Sequence, residues 1–351
     1  MSNEILFFTA FILIILLLLF LDLGLFSKKS HVLSLKESLG WTIVWISLAI
    51  GFYFFIRFNG DLIHGLKSIT EIQASIDKFD HPLNIEGMTF DQARVAYNHA
   101  LSLQYITGYL IEYSLSLDNV FVILLIFMSF KVPEQYYKRV LFWGILGAIV
   151  MRFIFIFSLS AIITKFDWVM YLFGAFLIFT AGKMFMDFIK KKQSHIDVEH
   201  HPMVRFTKRF FPVHPRFEGQ SFFVKINAKK YATPLFIVLM VIEFSDVIFA
   251  VDSVPAIFAV TLDPYIVFFS NIFAIMGLRS LFFLVSHFFG KFFYLKIGLA
   301  ALLAFIGIKM LSHHLFEIST EVSLSVIIGI LVLSIVASIL HKSEGQKSSG
   351  F

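Results

Sequence analysis

The chain contains no cysteine. That absence excludes disulfides, thiolate metal sites, iron–sulfur clusters and cysteine nucleophiles together. Charge is also scarce: 15% of the 351 residues are Asp, Glu, Lys or Arg, against roughly 25% in a soluble domain. Neither HExxH nor G-x-S-x-G occurs, so the chain is not read as an enzyme, and no prosthetic cofactor is expected. What it has in abundance is apolar surface. Hydrophobic residues make up 58%, mean hydropathy is +0.83, and 46 residues are Phe. A disordered chain and a soluble globular domain are both excluded. Repeated apolar stretches of bilayer length point to an all-α polytopic membrane protein. The Phe content reads as lipid-facing and packing surface.

About nine transmembrane helices are predicted, near 5–25, 38–56, 104–130, 140–163, 168–188, 233–260, 265–289, 292–312 and 322–340. The first could instead be a signal peptide. However, Met1-Ser2-Asn3-Glu4 carries no basic side chain and no A-x-A site follows, which favours a retained span. Lys and Arg fix the orientation. The loop 189–232 holds ten of them. With that loop in the cytoplasm, nineteen fall on the cytoplasmic side and five outside, which puts the N-terminus outside and the C-terminus inside. The basic run is therefore a topology signal and not a nucleic-acid patch. His195, His200, His201 and His214 share the loop; solvated histidines are a simpler reading there than a metal-sensing cluster.

The segments follow. Residues 1–56 form two peripheral helices, and 57–103 an extracytoplasmic loop with short helices. Residues 104–188 and 233–312 are three-helix units flanking the basic loop 189–232. Residues 313–351 are a final transmembrane helix and a cytoplasmic tail. The two units are repeats. At an offset of 134, Glu112 matches Asp246, Asp118 matches Asp252 and Val120 matches Val254. At 127, Arg152 matches Arg279; at 126, Lys183 matches Lys309. Apolar identities are cheap in membrane sequence, but ionic residues in register are not. Three spans per copy force the second to enter from the opposite side. The prediction is two inverted repeats with a site near the midplane between them.

A charge inside a span costs about 2.5–3.5 kcal/mol on insertion scales. Here Glu112, Asp118, Glu243, Asp246 and Asp252 lie in the third and sixth spans, and Arg152 and Arg279 in the fourth and seventh. Some of these must be ion pairs tying the repeats together. Yet five acids outnumber two arginines, and Lys183 and Lys309, near span ends, can snorkel to the interface. The surplus carboxylate suits a cation site or protons. Carboxylates, Asn119, Ser116 and Ser253 are hard oxygen donors, fitted to Mg²⁺, Ca²⁺ or Mn²⁺. Glu112 and Asp118 are six residues apart, as are Asp246 and Asp252. On a helix that is about 9 Å of rise and roughly 120° of rotation, too far to chelate one ion. Either the spans unwind, as Pro255 suggests, or each acid meets a partner from the other repeat. Glu243 has no acidic counterpart, since its equivalent is Tyr109; that asymmetry suits a proton carrier.

Glu112-Tyr113-Ser114-Leu115-Ser116-Leu117-Asp118-Asn119 resembles the E-W-S-L-S-x-D-N motif of the TerC family. The run from Glu243 through Asp246 and Asp252 resembles its second motif, and Ser270-Asn271 through Arg279 the segment after it. Tyr113 stands where Trp is usual and Ser245 where Thr is usual. The resemblance implies an integral membrane protein of the wider lysine-exporter superfamily, in a family named for tellurium resistance. It also implies kinship with bacterial, alkali-inducible members linked to manganese export. It is the resemblance that selects Mn²⁺ over Ca²⁺ as the transported ion, and it carries over Glu112, Asp118, Asn119, Glu243, Asp246 and Asp252 as metal residues. Arg152 and Arg279 are then supporting ion pairs, and Ser116 and Ser253 further ligands. The expected partners are a divalent ion and the lipid bilayer of the bacterial inner membrane. The competing reading is a membrane scaffold or assembly factor whose acids are structural, because some family members outside bacteria are linked to membrane-protein insertion. Direct tellurite chemistry would lack a thiol.

Overall fold

The computed structural model describes residues 3–22, 34–166, 168–190, 202–226, 229–287, 294–312 and 318–340. Apolar runs wind into helices because lipid offers no hydrogen-bond partner to an open backbone. In chain order these are α1 (Asn3–Asp22), α2 (Leu35–Asn59), α3 (Asp61–His64), α4 (Ile69–Phe79), α5 (Phe90–Ser129), α6 (Tyr137–Ile163) and α7 (Trp168–Ile189). There follow α8 (Pro202–Phe210), α9 (Pro234–Phe258), α10 (Pro264–Met276), α11 (Leu278–His287), α12 (Leu295–Ser312) and α13 (Thr320–Leu340). Among the described residues eight are long and apolar enough to cross a membrane; α10 and α11, bent by 40° to one another, are a broken ninth span or a re-entrant loop. The chain is an all-α, multi-pass membrane protein.

Local chemistry sets the boundaries. Ser34 and Glu37 close a capping box on α2, as Thr89 and Gln92 do on α5. Pro234 and Pro264 open α9 and α10, where a missing N–H costs nothing. Two expectations change. Pro255 does not unwind α9: it sits within the last turn, and the helix runs on to Phe258. A proline withholding one N–H near a helix end removes little. The break falls instead at Gly277, between α10 and α11. The second surprise is a two-stranded antiparallel hairpin, β1 (Phe223–Ile226) and β2 (Lys229–Ala232), within the basic loop.

Helices α5 and α12 lie innermost, with 61% of their apolar windows buried, against 17% for α1 and 22% for α2. The latter two dock through Phe rings: Phe11 lies 4.4 Å from Phe269, and Phe52 4.9 Å from Phe273. Other Phe side chains, such as Phe58 and Phe179, face outward. Helices α7 and α12 approach through glycine, since a Cβ on Gly307 would stand 2.8 Å from the Gly174 carbonyl oxygen. Helix α5 packs on α9 and α10, and α6 packs on the same two.

At the end where α5 begins, α3 and α4 form a cap with a polar interior. His64 Nε2 lies 2.8 Å from Asp263 Oδ2 and Nδ1 lies 3.0 Å from Glu4 Oε1. One imidazole thus joins α1, α3 and the N-cap of α10. Asn98 donates to Asp61 at 2.8 Å, and Thr261 donates to Gln104, which meets His81.

Candidate functional site

Arg152, projecting from α6, is 1% exposed, and its guanidinium gathers four elements. It donates to Glu112 of α5, to Asn271 Oδ1 of α10 at 2.8 Å, and to Asp246 Oδ1 of α9 at 3.2 Å; Ser253 Oγ stands at 3.5 Å. Asn271 in turn donates to Glu112 Oε2 at 3.0 Å. A buried guanidinium needs this number of acceptors, because desolvating it unpaired would cost several kcal/mol. Glu112 and Asp246, matched in sequence at an offset of 134, are thereby joined through one cation. Arg279 is buried as deeply as Arg152, two residues beyond the bend at Gly277.

Asp118, Glu243 and Asp252 form no ion pair among the described residues. Thr180 donates to Asp252, yet Asp252 Oδ1 has no hydrogen-bond partner, and neither have Asp246 Oδ2, Ser116 Oγ and Asn119 Nδ2. Asn119 and Asp246 line a cavity of about 20 Å³ with Gly144, Ala148 and Ile275. That is room for one water-sized guest. Glu243 fills a notch on α6: a Cβ on Gly147 would stand 2.1 Å from its Oε1.

The helices stay wound through all four acids, and two of the four meet a side chain of the other segment. Glu112 meets Asn271, and Asp246 meets Arg152. Among the described residues, no three Asp, Glu or His side chains converge into a ready metal shell. Glu112 and Asp246 sit on a guanidinium, whereas Asp118 and Asp252 have no ion-pair partner among the described residues. Lys309 does not snorkel. It is buried at 8% exposure and donates to Ser323 of α13 at 2.9 Å. Sequence reasoning also passed over Asn271 as a site residue and Gly147 altogether. Asn271 had a signal, as a polar amide in mid-span. His195, His200 and His201 lie outside the described residues, and His214 Nδ1 lies 3.0 Å from the Arg216 carbonyl in a local turn.

The buried acids of α5 and α9 fall within residues 97–346, which match the family described as integral membrane protein TerC family. The chain belongs to the TerC family. Among its TerC relatives, an uncharacterized membrane protein of Myxococcus xanthus is 42% identical over 96% of this chain and 93% of its own length. Proteins carrying the provisional name membrane-bound redox modulator Alx are similar too. That of Salmonella typhi is 41% identical over 93% of this chain and 91% of its own length. That of Escherichia coli strain K12 is 39% identical over 97% and 96%. No solved structure matches this TerC chain.

Proposed function

We propose that this TerC protein exports a divalent cation, Mn²⁺ first and Ca²⁺ as the alternative cargo, across the cytoplasmic membrane of a bacterium. The N-terminus is outside and the C-terminus cytoplasmic. One observation carries the reading: Asp118 and Asp252, at matched places in the sequence, lie half-buried inside their helices with no ion-pair partner among the described residues. A half-buried carboxylate without a counter-cation is relieved by binding a cation or a proton. Mn²⁺ is a hard ion suited to these oxygens, with Asn119, Ser116 and Ser253 at hand. Either Mn²⁺ or protons would neutralise the same pair, so proton entry would drive release. Glu243, repelled by Asp246 and lodged at Gly147, is placed to carry a proton. In this reading residues 104–188 and 233–312 are inverted repeats. The packing of α5 on α10 and of α6 on α9 fits a two-fold relation.

The second reading, a membrane scaffold, is favoured by the Glu112–Arg152–Asp246 cluster, which holds four helices together whatever else the protein does. The relatives are named redox modulators; a thiol mechanism for such a role would find no cysteine in this chain.

The test is Mn²⁺ uptake into inverted membrane vesicles, with Ca²⁺, Mg²⁺ and Zn²⁺ in competition. Asp118→Asn and Asp252→Asn keep size and polarity and remove charge. Each is expected to abolish most uptake while membrane abundance stays near wild type. Normal uptake by both variants would place the cargo elsewhere. Loss of both from the membrane would favour the scaffold.

A further inference from the structure

Residues 202–232 lie where α9 enters the apolar layer. Val204 of α8 packs in one cluster with Leu235, Val238 and Val241, from the first two turns of α9. At about 100° per residue, the nine residues of α8 present three faces. Val204 and Thr207 are buried against the protein. Phe206 and Phe210 lie beside them, exposed, with their rings 4.7 Å apart. Arg205, Lys208 and Arg209 fill the remaining arc and are exposed. The hairpin adds exposed Lys225, Lys229 and Lys230, the last stacked 4.2 Å from the Phe223 ring centre. Glu218 is the one acidic residue of the described segment, and none of these cations forms an ion pair with a described residue.

We propose that α8 and the β1–β2 hairpin form a docking surface for acidic phospholipid headgroups. Phe206 and Phe210 sit at the acyl-chain boundary, and the cations sit on headgroup phosphates. Three features coincide: unpaired cations, an exposed aromatic pair on the neighbouring face, and a position level with the mouth of a transmembrane helix. A short helix with aromatics on one side and Lys and Arg on the other is built to lie in a membrane interface. The cations gain from anionic lipid close to the surface. Nucleic acid or an acidic protein would use the cations but would leave two phenylalanines exposed to water. A second copy of this chain would meet the same positive charge.

The absence of cysteine gives a direct test in the full-length protein. Phe206→Cys carries an environment-sensitive fluorophore, and Phe210 remains. The purified chain is placed in vesicles of equal parts phosphatidylcholine and phosphatidylglycerol, with bromine quenchers on the chains of one lipid or the other. Brominated phosphatidylglycerol is expected to quench about twofold more than brominated phosphatidylcholine, and molar salt is expected to erase the difference. The triple variant Arg205→Glu, Lys208→Glu, Arg209→Glu is expected to erase it as well. If that variant does not fold, the salt response of the otherwise unaltered chain decides. Equal quenching by the two lipids in low salt would overturn the proposal. So would no quenching by either lipid, which would point to a second copy, a nucleic acid or an acidic protein on this face.

Discussion

Gly147 and Glu243 occupy one space between them. A methyl group on Gly147 would overlap the Glu243 carboxylate, so Gly147→Ala must push the acid out. The displaced group is the end of a flexible side chain, so the stability cost is expected to stay below about 1 kcal/mol. Mn²⁺ uptake, by contrast, is expected to fall several-fold, and shortening the acid with Glu243→Asp in the same chain to recover part of it. Uptake and melting temperature, measured on the single and double variants, check both halves. Arg152 is the opposite case. Arg152→Met would leave buried Glu112 and half-buried Asp246 without their cation, at a cost of about 3–5 kcal/mol, chiefly from Glu112. Loss of the protein from the membrane fraction, relieved by adding Glu112→Gln, is the expected result. That Arg152 pairs with acids from both repeats was legible, since a mid-span arginine must find an acceptor. That Glu243 rests on Gly147 was not. A glycine in a membrane helix carries no sign of what fills the place of its missing side chain.

Most helix ends fall near the ends of the apolar runs, but α5 begins at Phe90, well before the span expected from 104, because a capped polar stretch continues the helix beyond the apolar run. The bend at Gly277 was not legible: nothing in sequence separates it from Gly182, which lies inside unbroken α7. The hairpin escaped for a related reason. Its strands are four residues each and rich in Lys, so their alternation is too short to stand out in a basic loop. Between α7 and α12, Gly307→Val would drive a side chain into the Gly174 carbonyl. Overpacking of this kind typically costs about 1–3 kcal/mol, and a lower melting temperature in detergent would report it. In the cap, burial disfavours the charged form of His64, but Asp263 and Glu4 outweigh it and hold the imidazole up to about 9. The folded value lies above the ordinary 6.5. The resulting stability is therefore fully present below pH about 6.5 and is lost as pH rises through about 9. Melting temperature followed across that window is expected to fall for the wild type and to stay flat for His64→Gln.

For the molecule as a whole, orientation is the first quantity to test. Ala74 of α4 and Glu218 of the basic segment are exposed on opposite ends. Single cysteines there are expected to react with an impermeant maleimide in intact cells at Ala74→Cys and not at Glu218→Cys; the reverse would invert the topology. The inventory of spans was readable from hydropathy alone. The joining of His64 to Asp263 was not, because the two are 199 residues apart and share no periodicity. Helix α5 gives the architecture a mechanical character. Its 40 residues make a rod about 60 Å long, twice the hydrocarbon thickness of about 30 Å. Pivoted at Glu112, where Arg152 and Asn271 grip it, the rod reaches about 33 Å to Phe90. A tilt of about 5° would then move the cap end by about 3 Å while barely shifting the pivot. Such a rod would couple any displacement at the cap to a small rotation at Glu112.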